Sequence, residues 1–239
     1  MQLYLTFAAD CIRLPMASAE ILQGLIYHAL SEDPVYARSL HETGSTADGR
    51  AYKLFCFSEL SGTYTIADGQ ICYPSGAGME IRSIDPRFIT LLFSYFTKNP
   101  VVRLGENTVE IQNLRLGDTR LHKERITVKT LSPITVYRTE PDGHTTYFSP
   151  EEDIFCRMVE SNARRKWMSH YGTEEGFGFS AAPLGGRFTR RATRFKSTFI
   201  TAWHGRFTLT GTPAALDFLY HTGLGSKNSQ GFGMFDIVE

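Results

Sequence analysis

The chain has 239 residues and a formal net charge of zero, with 42% hydrophobic and 21% charged residues. That length suits two units of roughly 100–150 residues, and that balance excludes a disordered or low-complexity chain. Total charge points to no partner, but its distribution does. Residues 1–122 carry net −3 and residues 123–239 net +3. Residues 176–216 hold Arg187, Arg190, Arg191, Arg194, Lys196 and Arg206 with no acid. A local field of one sign attracts a polyanion even on a neutral protein.

Gln2–Ala8 reads as a strand. Ser18 opens a helical pattern with Ile21, Leu22, Leu25, Ile26 and Ala29 on one face, and Pro34 interrupts it. Residues 53–58, 70–73 and 80–84 are strand segments. Asp85-Pro86 starts a helix as N-cap and first-turn proline, with Phe88, Leu91, Leu92, Tyr95 and Phe96 as its apolar face, and Asn99-Pro100 ends it. Residues 101–116 are rich in strand formers. A short polar stretch, 117–124, follows.

The second half repeats this order. Residues 126–137 are extended. Ser149-Pro150-Glu151-Glu152 has the capping-box pattern and predicts a helix to about His170, with Ile154, Phe155, Met158, Val159 and Trp167 inward. Strands follow at 176–181 and 198–210. Thr212-Pro213 opens a short helix that stops before Gly223, and residues 232–238 form the last strand. Each half reads β-α-β-β-α-β, which predicts an α+β protein of two tandem ferredoxin-like units, 1–120 and 121–239.

No apolar run reaches the length of a membrane span, and residues 1–6 lack the basic region of a signal peptide. The expected setting is cytoplasmic, without a membrane. Cys11, Cys56, Cys72 and Cys156 show no C-x-x-C spacing and are expected to be reduced and buried. The histidines and acids show no metal-ligand spacing, so neither metal nor cofactor is expected.

The most specific motif is Gly223-Leu-Gly-Ser-Lys-Asn-Ser-Gln-Gly-Phe-Gly233. Two Gly-x-Gly units bracket five polar residues, and free amides in such a loop can hold phosphate. The dinucleotide fingerprint fails because Asn228 stands at its third glycine, and no P-loop is present. A tight connector between a helix and a strand is the bland alternative.

Through that loop, the chain resembles the CRISPR-associated repeat-processing endoribonucleases of the wider repeat-associated RNA-binding superfamily. Further stretches match in order: Leu22–Tyr27, Leu40-His41-Glu42, Tyr52–Ser58, Leu131–Ile134, Asn162–Lys166 and Thr201-Ala-Trp203. The resemblance implies two tandem ferredoxin-like domains. It also implies metal-independent cleavage of precursor CRISPR RNA within each repeat, leaving a 2′,3′-cyclic phosphate. It places the catalytic tyrosine, histidine and lysine on Tyr27, His41 and Lys53. Repeat RNA is the implied partner, as precursor and as processed guide. Homodimer formation and association with a CRISPR effector complex stay open.

The residue types suit that chemistry. Histidine titrates near neutrality and can move a proton in either direction, lysine can stabilise charge developing on phosphorus, and tyrosine can orient the hydroxyl. The implied RNA contacts are Arg187, Arg190, Arg191, Arg194 and Lys196, with Phe188 and Phe195 among them. The loop residues Gly223, Gly225, Ser226, Lys227, Asn228, Ser229, Gly231 and Gly233 join them. Read alone, Tyr27 also fits a half-buried structural tyrosine, His41 a solvated loop histidine and Lys53 an edge-strand lysine. His28, beside Tyr27, is a second candidate, but it points about 100° away from Tyr27 around the helix, which fits an exposed or minor role. His204 and His221 fit structural or RNA-contacting duty, and Lys123, Arg125 and the Arg164-Arg165-Lys166 run are weaker RNA-contact candidates, since helix faces commonly carry such charges. Two other functions remain: a non-catalytic module holding CRISPR repeat RNA within a larger complex, and a nucleotide-binding protein using the glycine loop.

Overall fold

The computed structural model describes residues 1–42, 45–47, 49–196 and 198–238; the side chains of His41, Glu42, Ala47 and Arg50 lie outside that description. The first half contains β1 (Gln2–Ala8), β2 (Ile12–Pro15), α1 (Ala19–Leu30), α2 (Pro34–Glu42), β3 (Ser45–Ala47), β4 (Arg50–Tyr52), β5 (Phe55–Phe57), β6 (Thr65–Ala67), β7 (Gln70–Tyr73), β8 (Ala77–Ser83), α3 (Pro86–Lys98), β9 (Val101–Leu104) and β10 (Asn107–Gly117). Its main sheet runs β5-β8-β1-β10-β9, antiparallel throughout. The apolar faces of α1 and α3 pack with the inner residues of β1 and β8 in one core around Leu3, Leu5, Ile26, Phe55, Ile81, Phe88 and Leu92.

The second half contains β11 (Arg125–Thr130), β12 (Tyr137–Thr139), β13 (Thr145–Tyr147), α4 (Asp153–Tyr171), β14 (Phe179–Pro183), β15 (Thr189–Phe195), β16 (Thr198–His204), β17 (Arg206–Gly211), α5 (Pro213–Thr222) and β18 (Phe235–Ile237). Its sheet runs β14-β17-β11-β18. Taking β1, β5, β8 and β10 in one half and β11, β14, β17 and β18 in the other, both sheets have the order fourth-first-third-second with helices after the first and third strands. That is the ferredoxin-like arrangement, twice. A second core gathers Ile126, Val128, Phe155, Val159, Trp167, Phe207, Leu216 and Phe235.

Local chemistry explains several boundaries. The Asp85 side chain accepts from the Arg87 amide, and Thr212 accepts from Ala215, each with proline in the first turn. Pro34 does not merely interrupt α1: it opens α2, where a missing N–H costs nothing. The Ser149 amide donates to the Glu152 carboxylate, but this closes a turn, and α4 starts later, at Asp153. The single strand expected over 198–210 breaks at Gly205. There β16 pairs with β15 in a separate hairpin, while β17 joins the main sheet. The Phe188 ring fills the space where a Cβ on Gly205 would lie, so the glycine lets that ring pack against the chain where it changes sheets.

One expectation is corrected outright. Cys11 and Cys72 are joined as a disulfide, because pairing of β2 with β7 sets their Cα atoms 6.3 Å apart. Cys56 is free and buried, and Cys156 is free and half-buried.

Candidate nucleic-acid cleft

The glycine-rich segment does not project from the molecule; it lies between the two halves. Residues 228–230 form a single 3-10 turn, with Lys227 and Gly231 in the left-handed conformation on either side. A Cβ on Gly231 would meet the Phe57 ring of β5 at 2.8 Å, and one on Gly225 would meet the Thr135 carbonyl at 2.6 Å. The glycines therefore permit close packing on both units. Gly223, Gly225, Gly231, Gly233 and Asn228 are buried, while Ser226, Lys227 and Ser229 are half-buried.

Six amides of the loop are used by the protein itself. Gly223 donates to Leu219 (2.8 Å), Leu224 to Gly233 (2.8 Å), Ser226 to Thr135 (2.8 Å), Gln230 to Lys227 (2.8 Å), Gly231 to Asn228 (3.1 Å) and Gly233 to Pro133 (2.9 Å). A buried amide needs a partner, and packing against both halves supplies one for these six; the successive amides of Lys227, Asn228 and Ser229 are not among them. The loop also offers a ligand its side chains.

Those side chains wall a cavity of about 840 Å³, lined among others by Tyr27, Lys53, Lys196 and Lys227. Helix α1 supplies Tyr27 on the turn after Gln23, and the Gln23 side-chain amide donates to the Ser229 carbonyl at 2.5 Å, tying α1 to the loop. Lys53 immediately precedes the β5 region, and its Nζ lies 5.3 Å from the centroid of the Tyr27 ring. Lys227 lies 5.0 Å over the Tyr137 ring. Lys196, left-handed at φ 52°, turns the β15–β16 hairpin, and its amide donates to the Glu20 carboxylate of α1 at 3.0 Å. The cavity is thus assembled from both halves.

Burial sets the electrostatics. It pushes the Tyr27 phenol up to about 12, so the group stays protonated near neutrality. Burial first, and then the charge of Lys196, hold Lys53 below the ordinary lysine value. Several cations facing one cavity favour an anionic occupant.

The structure brings Tyr27, Lys53, Lys196, Ser226, Lys227, Asn228 and Ser229 to this one cavity. His41 falls in the last turn of α2, and its side chain lies outside the described residues. The other expected cations stand elsewhere. Arg191 and Arg194 line a second cleft with Tyr64 and Tyr73. Arg187 lines a third with Lys129 and Arg206. Arg190 is exposed on β15. His28 is exposed with its ring edge-on to Tyr95. His204 bonds Thr130 at 3.0 Å and pairs with Glu59 at 3.1 Å. His221 is buried, donates from Nδ1 to the Asp217 carbonyl at 2.9 Å, and is driven by burial to about 4.

The structure corrects one further expectation. Lys166, expected on a solvated face with its arginine neighbours, is 2% exposed. The signal was present: Val159, Asn162, Ala163, Lys166 and Trp167 follow the i, i+3, i+4, i+7, i+8 spacing of the buried stripe. Among the described residues no cluster of histidine, cysteine and acid could hold a metal ion, and no helix is long and apolar enough to cross a membrane.

Comparison with known proteins agrees with this architecture. The family model described as CRISPR associated protein Cas6, C-terminal, matches residues 117–237. The chain is 27% identical over 232 residues to a CRISPR-associated endoribonuclease Cas6 of Pyrococcus furiosus, covering 94% of this chain and 84% of that one. It is 26% identical over 234 residues to CRISPR-associated endoribonuclease Cas6 1 of Methanocaldococcus jannaschii, covering 95% and 88%. A solved structure described as an RAMP protein binding different RNA substrates superposes with a TM-score of 0.86 at 19% identity, over all of both chains. A Cas6-related structure from Pyrococcus furiosus gives 0.85 at 20% identity, over all of this chain and 98% of that one.

Proposed function

Because this chain belongs to the Cas6 family of CRISPR-associated proteins, we propose that it is an endoribonuclease that cuts precursor CRISPR RNA within the repeat, without a metal. The observation that carries the reading is the shared cavity: Tyr27 and Lys53 meet there, 5.3 Å from ring to ammonium, beside Lys196 and Lys227. The relatives named as endoribonucleases extend over more than nine-tenths of the chain. The reading assigns Tyr27, His41 and Lys53 to the first unit, 1–120, and the RNA-holding residues to the second, 121–239. It places the protein in the cytoplasm, with its transcript.

In this reaction the ribose 2′-oxygen attacks the adjacent phosphorus and the bond from phosphorus to the 5′-oxygen breaks. One proton leaves the 2′-hydroxyl and one reaches the departing 5′-oxygen, giving a 2′,3′-cyclic phosphate and a 5′-hydroxyl. His41 carries out one of these transfers. Lys53 stabilises the charge that grows on the phosphoryl oxygens. Tyr27, neutral at working pH, orients the 2′-hydroxyl by hydrogen bonding.

The test is cleavage of end-labelled repeat RNA in EDTA by wild type and His41→Ala. The expected outcome is one wild-type cut ending in a cyclic phosphate, slowed about 10²-fold or more in the variant with affinity retained, as for loss of a general acid or base. A requirement for Mg²⁺ overturns the mechanism. A gel shift with no cut in either protein moves the reading to a module that only holds repeat RNA.

A further inference from the structure

Lys166 is an amine in a place where positive charge is costly, and burial lowers it from the ordinary lysine value to about 7. It sits on the inward stripe of α4, is 2% exposed, and among the described residues has no carboxylate partner. Such a charge persists only when its protons are bonded. Its Nζ donates to the Gly223 carbonyl, to Asn228 Oδ1 at 3.0 Å and, longer, to the Thr222 carbonyl at 3.5 Å. Three oxygens match the three protons of an ammonium. Two of them are carbonyls at the end of α5, where the helix dipole favours positive charge.

The third oxygen makes the arrangement a clamp. Asn228 accepts from Lys166 and donates with its own Nδ2 to the Leu224 carbonyl (2.8 Å) and the Phe232 carbonyl (3.0 Å). One ammonium therefore fixes the start, middle and end of the glycine-rich segment. The residue next to Asn228 is Lys227, whose Nζ stands over Tyr137 in the cavity that also holds Tyr27 and Lys53.

We propose that Lys166 is a positioning residue for RNA binding. It borders the same cavity, but it is almost fully buried and its donors are taken by Thr222, Gly223 and Asn228, so it acts through Asn228 to hold the loop in the shape that turns Lys227 and Ser229 to the cleft. The proposal rests on the reading of that cleft as the RNA site. It assigns Lys166 no contact with the cut phosphodiester. Its loss acts through the loop.

The experiment combines Lys166→Met with amide hydrogen exchange and repeat-RNA affinity. In Lys166→Met, exchange is expected to rise at amides 224–232 while β1, β8 and β11 stay protected. The Kd for repeat RNA is expected to rise about tenfold or more, the scale of losing hydrogen bonds from a charged group. Adding Lys227→Ala to Lys166→Met is expected to weaken binding little further, because an unheld loop no longer presents Lys227. Chemical rescue separates charge from packing: Lys166→Ala leaves room for n-propylammonium, which is expected to restore affinity where tetramethylammonium at matched ionic strength does not. If Lys166→Met does not fold, Asn228→Ala cuts the same link and is expected to give the same exchange pattern. Unchanged loop exchange, or fully multiplicative losses for the two lysines, overturns the proposal. Failure of wild type to bind repeat RNA overturns the reading of the cleft instead, and the exchange pattern then decides the clamp alone.

Discussion

Burial shifts two side chains of the cleft in opposite directions. Burial raises the Tyr27 phenol to about 12, so between about pH 7 and 10 it carries its proton and cannot act as a base. The Tyr27→Phe rate is therefore expected to be lower than wild type by one factor at every pH in that window. A ratio that changes with pH shows that the phenol ionises during the reaction. Lys53 behaves differently, since burial and then Lys196 hold its value down. A lowered lysine is charged at low pH and loses its charge earlier as pH rises. Cleavage is thus expected to fall on the alkaline side. Lys196→Ala removes a repelling neighbour, raises the Lys53 value and moves that limb to higher pH. A limb that stays in place, or moves down, removes Lys53 from the alkaline ionisation.

Among the elements, the two glycines that matter most have opposite surroundings. Gly233 takes φ 77°, and a Cβ there would collide with the Leu224 carbonyl, a backbone atom that cannot swing aside. Gly233→Ala is expected to disrupt the loop and lower stability by more than about 1 kcal/mol. Gly24 lies inside α1 with nothing within 4 Å of its Cβ position, so Gly24→Ala is expected to stabilise the helix by about 1 kcal/mol. Denaturant midpoints of the two variants check both, and a pair of equal shifts contradicts the distinction. The sequence made the main helices legible, because apolar spacing and the Asp85 and Thr212 caps are local signals. Strand order followed from the repeated element sequence. Less legible were features decided by distant contact. The split of 198–210 depends on Phe188 filling the space at Gly205, and the Cys11–Cys72 pair depends on β2 meeting β7. The loop motif was legible as a motif, but its burial against Phe57 and Thr135 was not. Tyr27 and Lys53 were named from sequence and meet in one cavity, whereas Arg191 and Arg194 share a different cleft, since strand twist and hairpin register are not written in composition.

The molecule as a whole depends on how its two sheets are fastened, because the cleft takes Tyr27 and Lys53 from one and Lys196 and Lys227 from the other. Arg82 on β8 is the strongest fastener. It is 1% exposed, pairs with Glu80 at 2.7 Å, donates to the Phe235 carbonyl of β18 at 2.6 Å, and stacks 3.7 Å from the centre of the Tyr220 ring on α5. Parting the two halves strips a guanidinium of its bonds to the second sheet, so the halves are expected to melt together in one calorimetric transition. Arg82→Met leaves Glu80, itself largely buried, without its partner, and such half-broken pairs cost about 3–5 kcal/mol. For a chain of this length that corresponds to a loss of roughly 10 °C in Tm. The single transition is expected to resolve into two, and RNA affinity to fall although Arg82 lines none of the cleft. Glu80→Gln added to Arg82→Met removes the stranded charge and is expected to recover part of the lost Tm. A variant that still melts once, within a few degrees of wild type, would show that the α5 packing on β5 and β8 fastens the halves without the guanidinium.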